Sequence, residues 1–191
     1  MSIQIQSCIH TEVDDIHDRE SGFCIAGKIL HVECDLDRDD LIEVQVGHIV
    51  AHQIVGTVDE LTIWADSISH DLSDAVVWLQ DLCRSKDDLA CLSSYLFVEE
   101  LEINPKWRRR GIGLKATAAF LEVHANRGFV FLKPMPLHKP DSPEENIREI
   151  ERLRRFWQRL GLDHFDSEAN FLWNSAWQCP RELAGTEDLL P

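Results

Sequence analysis

Ile103-Asn-Pro-Lys-Trp-Arg-Arg-Arg-Gly-Ile-Gly113 is the stretch on which the reading of this chain turns. Before it, Ser94 to Ile103 has the composition of a strand that must end by Pro105. After it, an alanine-rich helical pattern runs from Gly111 to Asn126 and stops near Gly128. Backbone N–H groups at a helix start have no intrahelical acceptors and sit at the positive end of the helix dipole, so they form an anion site. Gly111 and Gly113 would let a diphosphate approach that backbone with no Cβ in the way. A dinucleotide fingerprint would need a third glycine where Lys115 or Ala116 stands, and no Gly-Lys-Ser/Thr of a P-loop is present.

Upstream, Ile3, Ile5 and Ile9 alternate as in a strand, and Phe23 to Cys34 and Ile42 to Val55 read as two longer strands around a polar turn. They predict an antiparallel hairpin. From Ser67 the period becomes helical through Ile68, Leu72, Val76, Leu79 and Leu82, with Asp71 and Ser73 as candidate caps. Downstream, Phe129 to Lys133 suits a buried strand, and Pro134 to Pro143 a loop ordered by Met135 and Leu137. Ser142-Pro-Glu-Glu145 is a capping box, opening a helix whose apolar stripe is Ile147, Ile150, Leu153, Trp157 and Leu160, ended by Gly161. Two more strands are expected near Leu162 to Asp166 and Asn170 to Trp177, followed by an aperiodic tail over 181–191. With no repeat and no linker, residues 1–191 are expected to form one domain, its core motifs within 94–177.

The composition, 44% hydrophobic and 28% charged, is that of an ordinary globular protein. The N-terminus has no leader pattern and no run reaches the length of a membrane span, so a cytoplasmic protein without a membrane partner is expected. Six cysteines with no CxxC pair fit free thiols in a reducing compartment better than a disulfide framework. The net charge of −15 is uneven: residues 1–100 hold 21 acidic and 5 basic residues, and 101–191 hold 13 and 14. An acidic half argues against nucleic acid as the main partner. It would suit a cationic acceptor, or serve only solubility.

The string Arg108-Arg-Arg-Gly111-Ile-Gly113, with Ile103 and Pro105 in register before it, resembles the acyl-CoA loop of the GNAT acetyltransferase superfamily. Phe156-Trp-Gln-Arg-Leu-Gly-Leu162 is similar to that family's later helix, which closes with an aromatic residue before a glycine. The resemblance implies a mixed α/β (α+β) fold: a central, mostly antiparallel sheet flanked by helices, with a splayed parallel strand pair at the acyl-CoA site. It implies transfer of acetyl from acetyl-CoA to a primary amine, by direct transfer in a ternary complex and without a metal. The diphosphate would lie on the N–H groups from Arg109 through Arg110, Gly111, Ile112 and Gly113 to Leu114, beside Arg108. The pantetheine would pair with the backbone of Leu101 and Ile103.

Amine acetylation needs a base to take the ammonium proton and can use an acid for the leaving thiolate. Glu99 resembles the strand glutamate proposed as base in polyamine-type members, with Glu100 next. Period-two alternation puts Glu99 on the side of Leu101 and Ile103, and Glu100 and Glu102 opposite; a bulge would exchange these faces. Trp157 stands where many members have the tyrosine that protonates the thiolate, and Tyr95 is the only tyrosine. A second departure is that the main helix follows the hairpin, whereas the family's usual order places helices between the first two strands.

The acceptor could be a small cationic amine such as a polyamine or aminoglycoside, or a protein lysine or N-terminal amine. The alternative is a GNAT-fold CoA-binding or regulatory protein without turnover. An RNA-contacting patch is a further reading of the arginine cluster. His48 and His52, about 13 Å apart along a strand, are too distant to share a metal ion. The helix arginines Arg148, Arg152, Arg155 and Arg159 read as a solvated face with i,i+4 partners. Of six tryptophans, Trp107 alone is expected outside the core, where it could cover a cofactor. The oligomeric state is not legible in the sequence.

Overall fold

Long alternating segments in the first half of the chain build one side of a single sheet. The structure, a computed structural model, describes residues 2–10, 22–35, 40–55, 61–86, 89, 92, 94–138 and 140–184. Strands β1 (Ser2–His10), β2 (Gly22–Asp35) and β3 (Asp40–Val55) pair antiparallel in succession. Helices α1 (Leu61–Ile68) and α2 (His70–Ser85) precede β4 (Ser94–Ile103), which pairs antiparallel with β3. A 3₁₀ turn (Pro105–Trp107) leads to α3 (Ile112–Ala125) and then β5 (Phe129–Leu132), which lies parallel to β4. Helix α4 (Pro143–Gln158), strands β6 (His164–Asp166) and β7 (Phe171–Asn174) and a short α5 (Arg181–Ala184) complete the chain. The sheet order is β1-β2-β3-β4-β5-β7-β6.

Alternation along β4 divides the core between the two faces. Tyr95 and Phe97 pack with Ile54, Leu72, Val76, Leu79, Phe129 and Phe131 beneath α1 and α2. Leu96 and Val98 pack with Ile49, Leu114, Phe120, Val130 and Trp157 on the side of α3 and α4. Each such side chain contributes about 1.5–3 kcal/mol by leaving water, so the β4 register is strongly specified. Trp78, Trp157, Trp173 and Trp177 are buried; Trp64 and Trp107 are both half-buried, and Trp107, expected outside the core, packs against the smaller cluster of Ile29, Val46, Ile112 and Ala116. Cys24, Cys83 and Cys179 are in no disulfide; the side chains of Cys8, Cys34 and Cys91 lie outside the description.

Four expectations change. The segment before α2 is itself a helix, α1, and the α2 cap is Ser69 rather than Asp71 or Ser73: its Oγ accepts the N–H of Leu72 at 3.1 Å. Met135 and Leu137 do not anchor their loop in the core; both are about half exposed. The stripe of α4 is buried only at its end, at Trp157 and the following Leu160, while Ile147 is 67% exposed. That helix packs on the sheet by its C-terminal turn and lines an open cleft with the rest. The tail contains α5, a single turn too short to carry a periodic signal, and residues 185–191 lie outside the described set. The main helices do follow the hairpin, and residues 11–21, between the first two strands, lie outside the described set as well. Among the described residues no helix is long and apolar enough to cross a membrane.

Candidate active site

The parallel pair is joined only over Tyr95–Phe97 and Phe129–Phe131, after which the strands separate. Both sides of the split have a local cause. Beyond β5, Pro134 and Pro136 have no N–H to donate to a ladder. On β4 the register against β3 jumps between Val50, opposite Glu100, and Ala51, opposite Val98, which leaves Glu99 as the extra residue of a bulge. The bulge reverses the facing of everything after it. Glu99 stays on the side of Tyr95 and Phe97 and bonds to His52, while Leu101 and Ile103 pack with Ile29, Val46 and Ile112 on the opposite side. Plain alternation, with Glu99 beside Leu101 and Ile103, is therefore corrected. Glu100 and Glu102 share the side of Glu99, both near His48 at 3.1 and 3.9 Å.

The split opens into a cleft of about 760 Å³, within the usual range for ligand sites. Glu99, Leu101, Ile103, Arg108, Arg109, Gly111, Gly113 and Leu114 all line it. Glu100, Arg110 and Ile112 are not among its lining residues. Arg110 instead lies 4.9 Å from the Trp107 ring, and Ile112 is buried in the core. Glu102, the third strand glutamate among the acid–base candidates, lines the cleft; Lys133, His138, Arg152, Arg159 and Phe156, which sequence reasoning did not assign to the site, line it too. Only their placement across the split, from the proline loop and from α4, brings them there. Arg152 and Arg159 thus do more than solvate a helix face, although the expected pair Glu151–Arg155 forms at 3.1 Å.

The glycine loop is built to present main chain. Gly111 caps α3 with φ 75° in the left-handed region, and Arg109 also has a positive φ of 62°. A non-glycine residue held there is strained and persists only where its surroundings fix it. Arg108 ties the loop down: its Nε donates to the Ile103 carbonyl at 2.7 Å, so one lone pair of that carbonyl is already used. A Cβ on Gly111 would meet nothing within 4 Å, and one on Gly113 would make ordinary contact with Ile103 and Phe156. Space above Gly111 is therefore open to a ligand, while Gly113 lets the chain lie close between Ile103 and Phe156. The loop supplies free N–H groups, the helix dipole and guanidinium groups in one place, which is the chemistry of an anion site.

Glu99 is partly buried and uses both oxygens. Oε2 accepts from His52 Nε2 at 2.7 Å, and Oε1 accepts from Ser69 Oγ at 2.7 Å. The His52 bond, opposed by burial and aided by Ser69, holds the Glu99 carboxyl below the usual range, so it is ionised at neutral pH. Tyr95, the only phenol, is sealed in the core: its hydroxyl lies 3.0 Å from the carbonyls of both Leu89 and Leu92. Trp157 is buried at the floor of the cleft. No other aromatic hydroxyl exists to serve as an acid.

No family model matches this chain, and no curated protein matches it. Solved structures do. An agmatine N-acetyltransferase mutant in its apo form is 16% identical over 78% of this chain and 75% of its own, with a TM-score of 0.43. The KacTA–DNA complex is 11% identical over 90% and 93%, with a TM-score of 0.41. NAA60 of Arabidopsis thaliana, in complex with a bisubstrate analogue, is 13% identical over 81% and 75%, with a TM-score of 0.38. These proteins act on or bind different things, and identities this low transfer no substrate. What stands is the architecture of the chain itself: among the described residues, a seven-stranded, mostly antiparallel sheet flanked by helices and splayed at one parallel pair beside a glycine loop, which is the arrangement that the resemblance in the sequence implies.

Proposed function

We propose that this protein is an acyl-CoA-dependent N-acetyltransferase that moves acetyl from acetyl-CoA to a primary amine by direct transfer. The observation that carries the reading is that one cleft holds a glycine-lined helix start with Arg108 and Arg109 at one part and the ionised Glu99 at another. The diphosphate would lie on the loop N–H groups, and the pantetheine would run into the split where β4 has lost its β5 partner. The amine nitrogen attacks the thioester carbonyl, the C–N bond forms, the C–S bond breaks, and CoA leaves as thiolate. Glu99 receives the ammonium proton, directly or through water. A carboxylate held this acidic is always ready to accept a hydrogen bond from the ammonium but has little driving force to keep its proton, so orientation of the amine is the larger part of its work. With no phenol at the cleft, water would protonate the thiolate. The acidic lining near Glu99 and Glu102 favours a cationic amine as acceptor.

A second reading is a CoA-binding protein without turnover, which the burial of Tyr95 and the indole of Trp157 favour, since both remove the usual acid. Acetyl transfer from labelled acetyl-CoA, assayed against diamines, polyamines, an aminoglycoside and peptides with free amines, tests between the two. Transfer to any of these that falls at least a hundredfold in Glu99→Gln supports the enzyme. Binding of acetyl-CoA with no transfer to the whole panel supports the second reading.

A further inference from the structure

The sequence motif does not use His52, yet it is a deeply buried titratable partner of a cleft-lining residue: 2% exposed, it lies behind Glu99 and stacks on Phe97 at 6.4 Å between centroids. Its Nδ1 is buried with no partner among the described residues. That orphan atom decides the tautomer. A neutral imidazole with hydrogen on Nδ1 would leave a buried N–H without an acceptor, and would turn a bare Nε2 lone pair toward a carboxylate oxygen 2.7 Å away. With hydrogen on Nε2 the ring donates to Glu99 and leaves only a lone pair unmet, the cheaper of the two. Ser69 is fixed in the same sense. Its Oγ accepts the N–H of Leu72 as the cap of α2, so its one hydroxyl hydrogen is free for Glu99.

We propose that His52 is a positioning residue which, with Ser69, clamps the Glu99 carboxylate in the bulge and aims it into the cleft, so that the acid–base group is a unit of three residues from β3, α2 and β4. This rests on the reading of Glu99 as the base. His52 takes one lone pair of Oε2 and Ser69 one of Oε1, which leaves the second lone pair of each oxygen for an ammonium or a water. A free glutamate side chain would sample several rotamers, and a bulge residue, with no cross-strand neighbour directly opposite it, has less to restrain it than a paired one.

Other charges around Glu99 enter any pH measurement. From β3 they are His52 and His48, and from β4 Glu100 and Glu102. Lys133 lines the same cleft and pairs with Asp74 of α2 at 3.2 Å, while Asp66, His70 and Asp71 lie near Ser69 in sequence. The sign for Glu99 itself is set by its partners: removing the His52 donor raises its midpoint.

The experiment is a carbon-13 titration of the Glu99 side-chain carboxyl by NMR in the full-length protein, assigned by its loss in Glu99→Gln, with acetyl-transfer pH profiles measured beside it. His52→Leu fills the space without the donor, and His52→Gln restores an N–H at the reach of Nε2. The expected result is a midpoint that rises in His52→Leu and returns in His52→Gln, with the acid limb of kcat/KM moving the same way and plateau kcat falling at least tenfold in His52→Leu. Should His52→Leu not fold, His52→Asn, which ends short of Glu99, carries the same expectation. An unmoved carboxyl midpoint in a folded donor-less variant overturns the clamp. A carboxyl midpoint that moves while the kcat/KM limb does not leaves the clamp standing and overturns Glu99 as the base.

Discussion

The loop Arg108 to Gly113 and the Glu99 bulge are neighbours in one cleft but are built in opposite ways. The loop is local: its glycines, its left-handed turns and its helix start lie within six residues, and on the proposed reading it would hold its ligand through main-chain N–H groups. The bulge is assembled: Glu99 is held by side chains from far along the chain, His52, 47 residues away, and Ser69, 30 residues away, and on the proposed reading it would act through its own side chain. A local anion site tolerates drift elsewhere in the chain, whereas an assembled acid–base site depends on register. A one-residue change in strand pairing would take Glu99 from His52 and turn it to the other face.

The comparison can be broken most sharply at the assembled part. Glu99→Gln keeps the size and the Ser69 contact but removes the charge, and kcat is expected to fall by about 10²–10⁴-fold while acetyl-CoA affinity stays within about threefold; steady-state kinetics and calorimetric titration read the two separately. Register itself is tested at Gly47, where a Cβ would collide with the backbone carbonyl of Glu102. Gly47→Ala is expected to lose about 3 kcal/mol of stability in a urea melt and to lose transfer activity with it. Ser69→Ala removes both a helix cap and a clamp, and should cost about 1 kcal/mol. Because Glu99 sits below its ordinary pKa, its stabilising effect is present above the unfolded-state value and is lost as pH falls through the folded one, so the Ser69→Ala deficit should shrink on acidification. The smallest effect on the fold belongs to the local part: Gly113→Ala should change stability by less than about 1 kcal/mol, because its Cβ meets Ile103 and Phe156 at 3.5 Å, while acetyl-CoA binding weakens as the methyl narrows the cleft.

What was legible in the sequence follows the same division. The strand before Pro105, the basic loop and the α3 start could be read because each signal is local, and eight of the residues read from this stretch line the cleft. The long strands were legible from alternation, and the α4 start from Ser142, whose Oγ accepts the Glu145 N–H at 3.1 Å. The facing of Leu101 was not, because a bulge has no periodic signature; only the register against β3 reveals that Glu99 is the extra residue. The spacing of His48 and His52 argues only against a shared metal ion and says nothing of the partner of His52, which lies on the next strand. A histidine alternating with apolar residues on a central strand, opposite a strand with consecutive glutamates, is the signal that could have been used. Ile147 misled in the other direction: helical spacing marks an apolar stripe but not whether a sheet or an open cleft faces it.

The central claim is that the loop from Arg108 to Gly113 binds acyl-CoA, and thermal unfolding with and without acetyl-CoA tests it most directly, in wild type, Gly111→Glu and Gly111→Ala. At φ 75° either side chain costs about 1–2 kcal/mol of strain, but with nothing within 4 Å of a Cβ both variants should fold. At a hundred times its dissociation constant the ligand should stabilise wild type by about 2.7 kcal/mol, a rise of several degrees. The account predicts that rise in wild type, a smaller one in Gly111→Ala and none in Gly111→Glu. An equal rise in Gly111→Glu, or none in folded wild type, would contradict it.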